Sequence, residues 1–232
     1  MHVNFAPAKH KMISQDFYGF FPSVALVEKL SPEQQILAGA VVLFSRLGLR
    51  SVTMDDIARE LGISKKTLYK YYKNKAEIVE KGADLVIDHI REFCGSICPR
   101  VENPIDELFI LDEGMRNFNK MQHQGIQFQL RKYYPETFFK IKEAQRKNFI
   151  EVTTQNLEKG IRLGWYRDDF DVQIIANLYY SRVLMIMDEQ YFPVNEFDWE
   201  KLTREAMLYH IRGIASKKGL EYLETKYAST TK

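Results

Sequence analysis

Residues 53–75 read TMDDIARELGISKKTLYKYYKNK, and their spacing predicts two short helices joined by a tight turn. Thr53 stands before a run with helical periodicity and has Asp56 three residues on, the pattern of a capped helix start. Ile57, Ala58 and Leu61 fall on the inward face of that helix. Gly62 supplies the backbone freedom that a tight turn requires, and Ser64 opens a second helix running to about Tyr72. Ala58 is small where the second helix must come close, while Ile57, Leu61, Ile63 and Leu68 supply the apolar contacts that fix the crossing angle. Two short helices in this relation form a helix-turn-helix.

The charges narrow the reading. From Ser64 to Lys75 the chain carries Lys65, Lys66, Lys70, Lys73 and Lys75, without one Asp or Glu. A carboxylate three residues after a cap favours a helix start through the helix dipole, yet that position here holds Thr67. A carboxylate there would repel a phosphate or a base-edge acceptor. Thr67, Tyr69 and Tyr71 interleave with the lysines, giving the mix of groups that contact phosphates and base edges in a major groove. The alternative is a helical protein-interaction module whose basic helix faces an acidic partner.

Working outward, the whole chain reads as all-α. Ser31, Pro32 and Gln34 mark a helix start, and Ile36, Ala40, Leu43, Phe44 and Leu47 follow at helical spacing up to Gly48. Asn74 begins a further helix, with Glu77 answering the cap and Ile78, Leu85 and Ile90 among its apolar residues. Beyond Pro99 the pattern predicts helices over about 104–122, 125–133, 135–163, 171–190 and 198–215, with Gly164 closing the third. The expected organisation is an N-terminal extension over 1–30, a helix-turn-helix domain over 31–90 and a helical regulatory and dimerisation domain over 91–232. The polar tail from Ser216 is expected to end in a short helix or to fray.

GISKKTLYKYYKNK, residues 62–75, resembles the hallmark stretch of the tetracycline-repressor family, and Ala40–Gly62 also looks like that family. The specific match covers about residues 31–90. The resemblance implies a dimeric DNA-binding regulator, usually a repressor, on double-stranded operator DNA. It implies Lys65, Lys66, Thr67 and Tyr71 as base-edge contacts, Thr53, Ser64, Tyr69 and Lys75 as phosphate contacts, and Lys70 as either. Lys66 stands where the family often has a small residue or proline. Leu68 and Tyr72 look like core.

The second half carries the regulatory expectation. Val172, Ile174, Ile175, Ala176, Leu178, Val183, Leu184, Ile186 and Met187 make one helix apolar almost all round, so it must be covered on more than one side. Together with Leu202, Ala206, Tyr209 and Gly213 it fits the homodimer that the resemblance implies, through helices 171–190 and 198–215; the alternative is a central helix of a monomer. The resemblance implies an effector pocket in the middle helices for an unidentified small molecule, and Met115, Phe118, Phe149, Tyr179 and Arg182 are its candidate lining.

Composition excludes little but steers the rest. Hydrophobic residues at 45% and charged residues at 28% of 232 fit a folded globular chain. A net charge of +2 means that nucleic-acid binding must rest on locally gathered lysines. No run approaches the ~18 apolar residues of a membrane helix, so a cytoplasmic protein without membrane contact is expected. Cys94 and Cys98 lack metal or redox spacing and read as reduced thiols. Asp168, Asp169 and Asp171 read as a loop and helix cap, and the five histidines are scattered. No P-loop, dinucleotide-binding glycine pattern, HExxH or GxSxG is present; no enzyme, cofactor or metal is expected.

Overall fold

A computed structural model describes residues 30–97, 100–120, 125–193 and 195–228, apart from the side chains of 115, 117–120 and 228. The expected extension over 1–30 and Cys98 lie outside the described residues, Leu30 excepted. The fold is all-α. Its helices are α1 (Pro32–Leu47), α2 (Met54–Glu60), α3 (Lys65–Tyr71), α4 (Lys75–Ile97), α5 (Pro104–Lys120), α6 (Ile126–Tyr133), α7 (Pro135–Arg162), α8 (Val172–Ile186), α9 (Trp199–Ile214) and α10 (Lys217–Leu223). A π-helical turn, Glu224–Ala228, follows. Two compact units form: residues 30–91 with Gly114–Ala144, and Glu92–Glu113 with residues 145–228.

In the first unit the helix starts follow their caps. Ser31 accepts from Gln34 N while the Gln34 side chain returns to Ser31 N, and Thr53 and Asp56 do the same for α2. Asn74 Oδ1 accepts from Glu77 N at 3.0 Å. The core joins Ile36, Leu43 and Phe44 of α1 to Ile57, Leu61, Leu68, Tyr72 and Ile78. Fully buried Tyr72 donates its hydroxyl to the Glu33 carbonyl at 2.9 Å, so its burial leaves no orphaned polar atom. Helix α6 also packs here. Ile126, Leu130 and Tyr134 join the core, and Gln129 Oε1 accepts from Arg50 N at 2.8 Å.

In the second unit Ile105, Leu108, Leu157, Ala176, Met207, Ile211 and Leu223 share one core. Asn156 is fully buried within it and hydrogen-bonded: its amide donates to the Pro104 carbonyl at 2.9 Å, and its carbonyl accepts from Tyr166 at 3.0 Å. A Cβ at Gly160 would lie 1.9 Å from Tyr166, so the bulky ring requires the glycine. Of the tail, the described residues form the expected short helix, α10, and pack on the unit. Leu223 is fully buried, and Tyr222, Lys226 and Tyr227 all donate to the Asp106 carboxylate. Asp171 and Asp198 cap α8 and α9. Helix α8 ends at Ile186, four residues before its expected limit.

Candidate functional site

The turn between α2 and α3 rests on two glycines that act differently. Gly62 has φ 66°, the left-handed region that side chains disfavour, with open space where a Cβ would stand. Gly39 on α1 works by size: a Cβ there would lie 2.3 Å from Leu61 Cδ2. Gly39 therefore leaves room on α1 for the Leu61 side chain at the end of α2. An isolated helical glycine gives no sign of this until its neighbour is known.

On that frame α3 starts at Ser64, whose hydroxyl accepts from Thr67 N at 3.0 Å. The Ser64 and Thr67 hydroxyls are 2.8 Å apart. No acid occupies the first turn. Leu68 is fully buried beneath the helix, while Tyr69 is 50% exposed. Lys65, Lys66 and Lys70 are exposed, Thr67 and Tyr71 half-buried. Lys70 lies over the Tyr71 ring at 5.6 Å, which leans the ammonium along the helix face.

Three further expected contact residues are also engaged within the unit. Lys65 Nζ lies 2.6 Å from Asp55 Oδ2, so it carries a neutralising partner, although both groups are exposed and such a pair is weak. Thr53 donates its hydroxyl to Asp56 at 2.6 Å. These bonds from Thr53, helped by Arg59, hold the Asp56 carboxyl below the usual carboxylate range. Lys75, expected on a phosphate, instead donates to the Leu49 carbonyl and lies 5.7 Å from the Phe44 ring centroid. Burial pushes its ammonium pKa down, against a smaller upward pull from Asp56. Its position ties the start of α4 to the chain beyond α1.

The candidate pocket residues divide. Phe149, Tyr179 and Arg182 come together in the second unit: Phe149 meets Tyr179 with centroids 5.0 Å apart, and the Arg182 guanidinium lies 4.6 Å from the Tyr179 centroid. The side chains of Met115 and Phe118 lie outside the described residues. His210, not singled out by sequence spacing, stacks on Tyr179 at 4.1 Å and 19°. Burial, with the Arg182 charge adding to it, pushes the imidazole pKa down to about 3.

A second surface feature lies on α8 and α9. Ala176, Tyr179 and Ile186 face the core, whereas Ile174 and Leu178 are each 59% exposed and Met185 44%. On α9, Tyr209 is 78% exposed. No described helix is long and apolar enough to cross a membrane.

Residues 36–81 match the model for bacterial regulatory proteins of the tetR family. The HTH-type transcriptional repressor KstR2 of Mycolicibacterium smegmatis is 22% identical over 82% of this chain and 93% of its own length. KstR2 of Mycobacterium tuberculosis is 26% identical over 61% of this chain and 72% of its own. A tetR-family transcriptional regulator structure from Mesorhizobium loti shares the fold, with a TM-score of 0.62 and 16% identity over 79% of this chain and 96% of that one. These relatives are transcriptional regulators rather than enzymes. A helix-turn-helix with an acid-free second helix that matches the tetR-family model over residues 36–81, inside an all-α chain that aligns with such repressors over most of their length, makes this protein a DNA-binding transcriptional regulator similar to those of the tetR family.

Proposed function

We propose that the protein is a cytoplasmic, homodimeric, ligand-responsive repressor that binds a palindromic operator. The observation that carries this reading is α3: an acid-free helix with exposed Lys66, Tyr69 and Lys70, held from beneath by fully buried Leu68. Lys66, Thr67 and Tyr71 are assigned to base edges, Tyr69 to a phosphate and Lys70 to either. Lys65 joins the base contacts by exchanging Asp55 for DNA. Thr53 and Ser64 reach phosphate from the capped helix starts, where backbone N–H groups favour anions. Lys75 is assigned to the scaffold, since its ammonium already has the Leu49 carbonyl.

The open apolar stripe supports dimerisation. Ile174, Leu178 and Met185 recur at spacings of four and seven along α8 and present hydrocarbon to solvent, as Tyr209 does on α9. A second copy offering the same stripe would bury it, and a two-fold dimer would present two α3 helices to two half-sites. Selection of bound duplexes from a random pool tests the whole reading. An enriched inverted repeat is expected; a pool left unenriched would overturn it and favour a protein-interaction module with an acidic partner.

A further inference from the structure

Two buried nitrogens in the second unit lack a hydrogen-bond partner among the described residues: Arg182 Nε on α8 and His210 Nε2 on α9. Their side chains meet at one ring. The Arg182 guanidinium carbon lies 4.6 Å from the Tyr179 centroid, and the His210 imidazole stacks on that ring at 4.1 Å. Phe149 adjoins Tyr179 and Tyr180, with centroid distances of 5.0 and 5.3 Å. Nearby polar groups are already engaged. Arg182 Nη1 donates to the Ala206 carbonyl and the guanidinium also hydrogen-bonds the Tyr179 hydroxyl, which is directed at the Met207 sulfur, 3.7 Å away.

A buried polar nitrogen left unpaired is costly, so two in one cluster call for an explanation, and a bound group is one. The chemistry of the pair says which group. Arginine Nε is always a donor, and a neutral imidazole can carry its proton on Nε2. His210 stays neutral at ordinary pH, since its folded pKa is pushed down to about 3. With the His210 proton on Nε2, one acceptor facing the fixed guanidinium charge satisfies both nitrogens. Asp112 on α5 also acts on Arg182 from a distance and moderates that charge. A carboxylate offers acceptor oxygens to both nitrogens, and its bond to a guanidinium is charge-assisted. The Phe149, Tyr179 and Tyr180 rings suit a hydrocarbon or aromatic body beside it.

We propose that Arg182 and His210 form the head-group site of the effector pocket and that the effector is an amphipathic carboxylic acid bound as its anion. Arg182 Nε–H and His210 Nε2–H each donate to the carboxylate. This assignment rests on the reading of the second unit as a ligand-responsive domain and adds the class of ligand.

The test uses the full chain and matched probes: hexanoate, decanoate and phenylbutyrate against the corresponding primary alcohols. At least one acid is expected to raise the melting temperature and, by calorimetry, to bind about tenfold or more tighter than its alcohol. Arg182→Gln should remove that margin. Should Arg182→Gln fail to fold by circular dichroism, the acid–alcohol comparison on the unaltered protein decides. Equal binding of acid and alcohol, failure of all three acids, or an undiminished margin in folded Arg182→Gln would each overturn the assignment. The duplex selection reads out independently. An enriched inverted repeat without acid preference removes the head-group site and leaves the DNA reading; acid preference without enrichment does the reverse.

Discussion

The helix-turn-helix and the α8–α9 pair are built from equally well-capped helices, yet they meet solvent in opposite ways. Ser64 caps α3 as Asp171 caps α8. Beneath α3 the apolar residues are closed off, with Leu68 and Tyr72 fully buried, and what faces outward is cationic and phenolic. On α8, Ile174 and Leu178 remain 59% exposed although Ala176 and Tyr179 are already packed in the core. The first region is finished as a packing problem and open only in charge, which suits a polyanion. The second is open in hydrocarbon, which suits another apolar surface.

Substitutions can break that contrast, and they rank by expected effect. Leu68→Ala should cost about 2–5 kcal/mol in urea unfolding and abolish DNA binding, because Leu68 is fully buried in a small core. A loss near zero would mean that this core is not self-sufficient. His210 comes next. Its imidazole is held neutral in the fold with a pKa of about 3, against ~6.5 in an unfolded chain. The unfolded state therefore takes up the proton first as pH falls. The stability His210 contributes is fully present above pH ~6.5 and is lost between there and about 3, by roughly 2 kcal/mol at a pH of about 5. His210→Gln should flatten the melting temperature over that window; an unchanged slope would show that the imidazole is not protected.

Leu178→Glu probes the open stripe. It should leave the helical circular dichroism signal intact while weakening self-association by about tenfold or more in sedimentation, worth about 1.4 kcal/mol. A loss of fold without a change in association would place Leu178 in the protomer's own core. Thr53→Ala is the mildest, at about 1 kcal/mol for a lost cap, and it should return the Asp56 carboxyl toward its ordinary pKa as read by NMR titration.

Much of this contrast was legible in the residues. Ser31, Thr53, Ser64 and Asn74 marked helix starts because a cap is a local event, readable within four positions. Apolar spacing on α8 predicted two faces to cover, which its half-packed state fits. What escaped is what only folding brings together. Lys65 and Asp55 lie on different helices and meet through the turn between them. Lys75 reads as a surface cation until the Leu49 carbonyl appears beside it. Gly39 carries no signal without Leu61 against it. His210 looked scattered because its partners, Tyr179 and Arg182, sit on the preceding helix. The sequence left the polar tail open between a short helix and fraying because its anchor, Asp106, is more than a hundred residues away.

Fluorescence anisotropy on the selected duplex separates the roles of α3 and of the start of α4. Affinities of the native chain, Lys66→Ala and Lys75→Ala are measured across salt for that duplex and for one altered in a single base pair. Lys66→Ala is expected to lose about 1–3 kcal/mol on the selected duplex and little on the altered one. Lys75→Ala should lower stability while leaving the salt slope of binding unchanged, because its ammonium serves the Leu49 carbonyl rather than a phosphate. Equal losses on both duplexes for Lys66→Ala, with a salt slope flattened by Lys75→Ala, would contradict these roles.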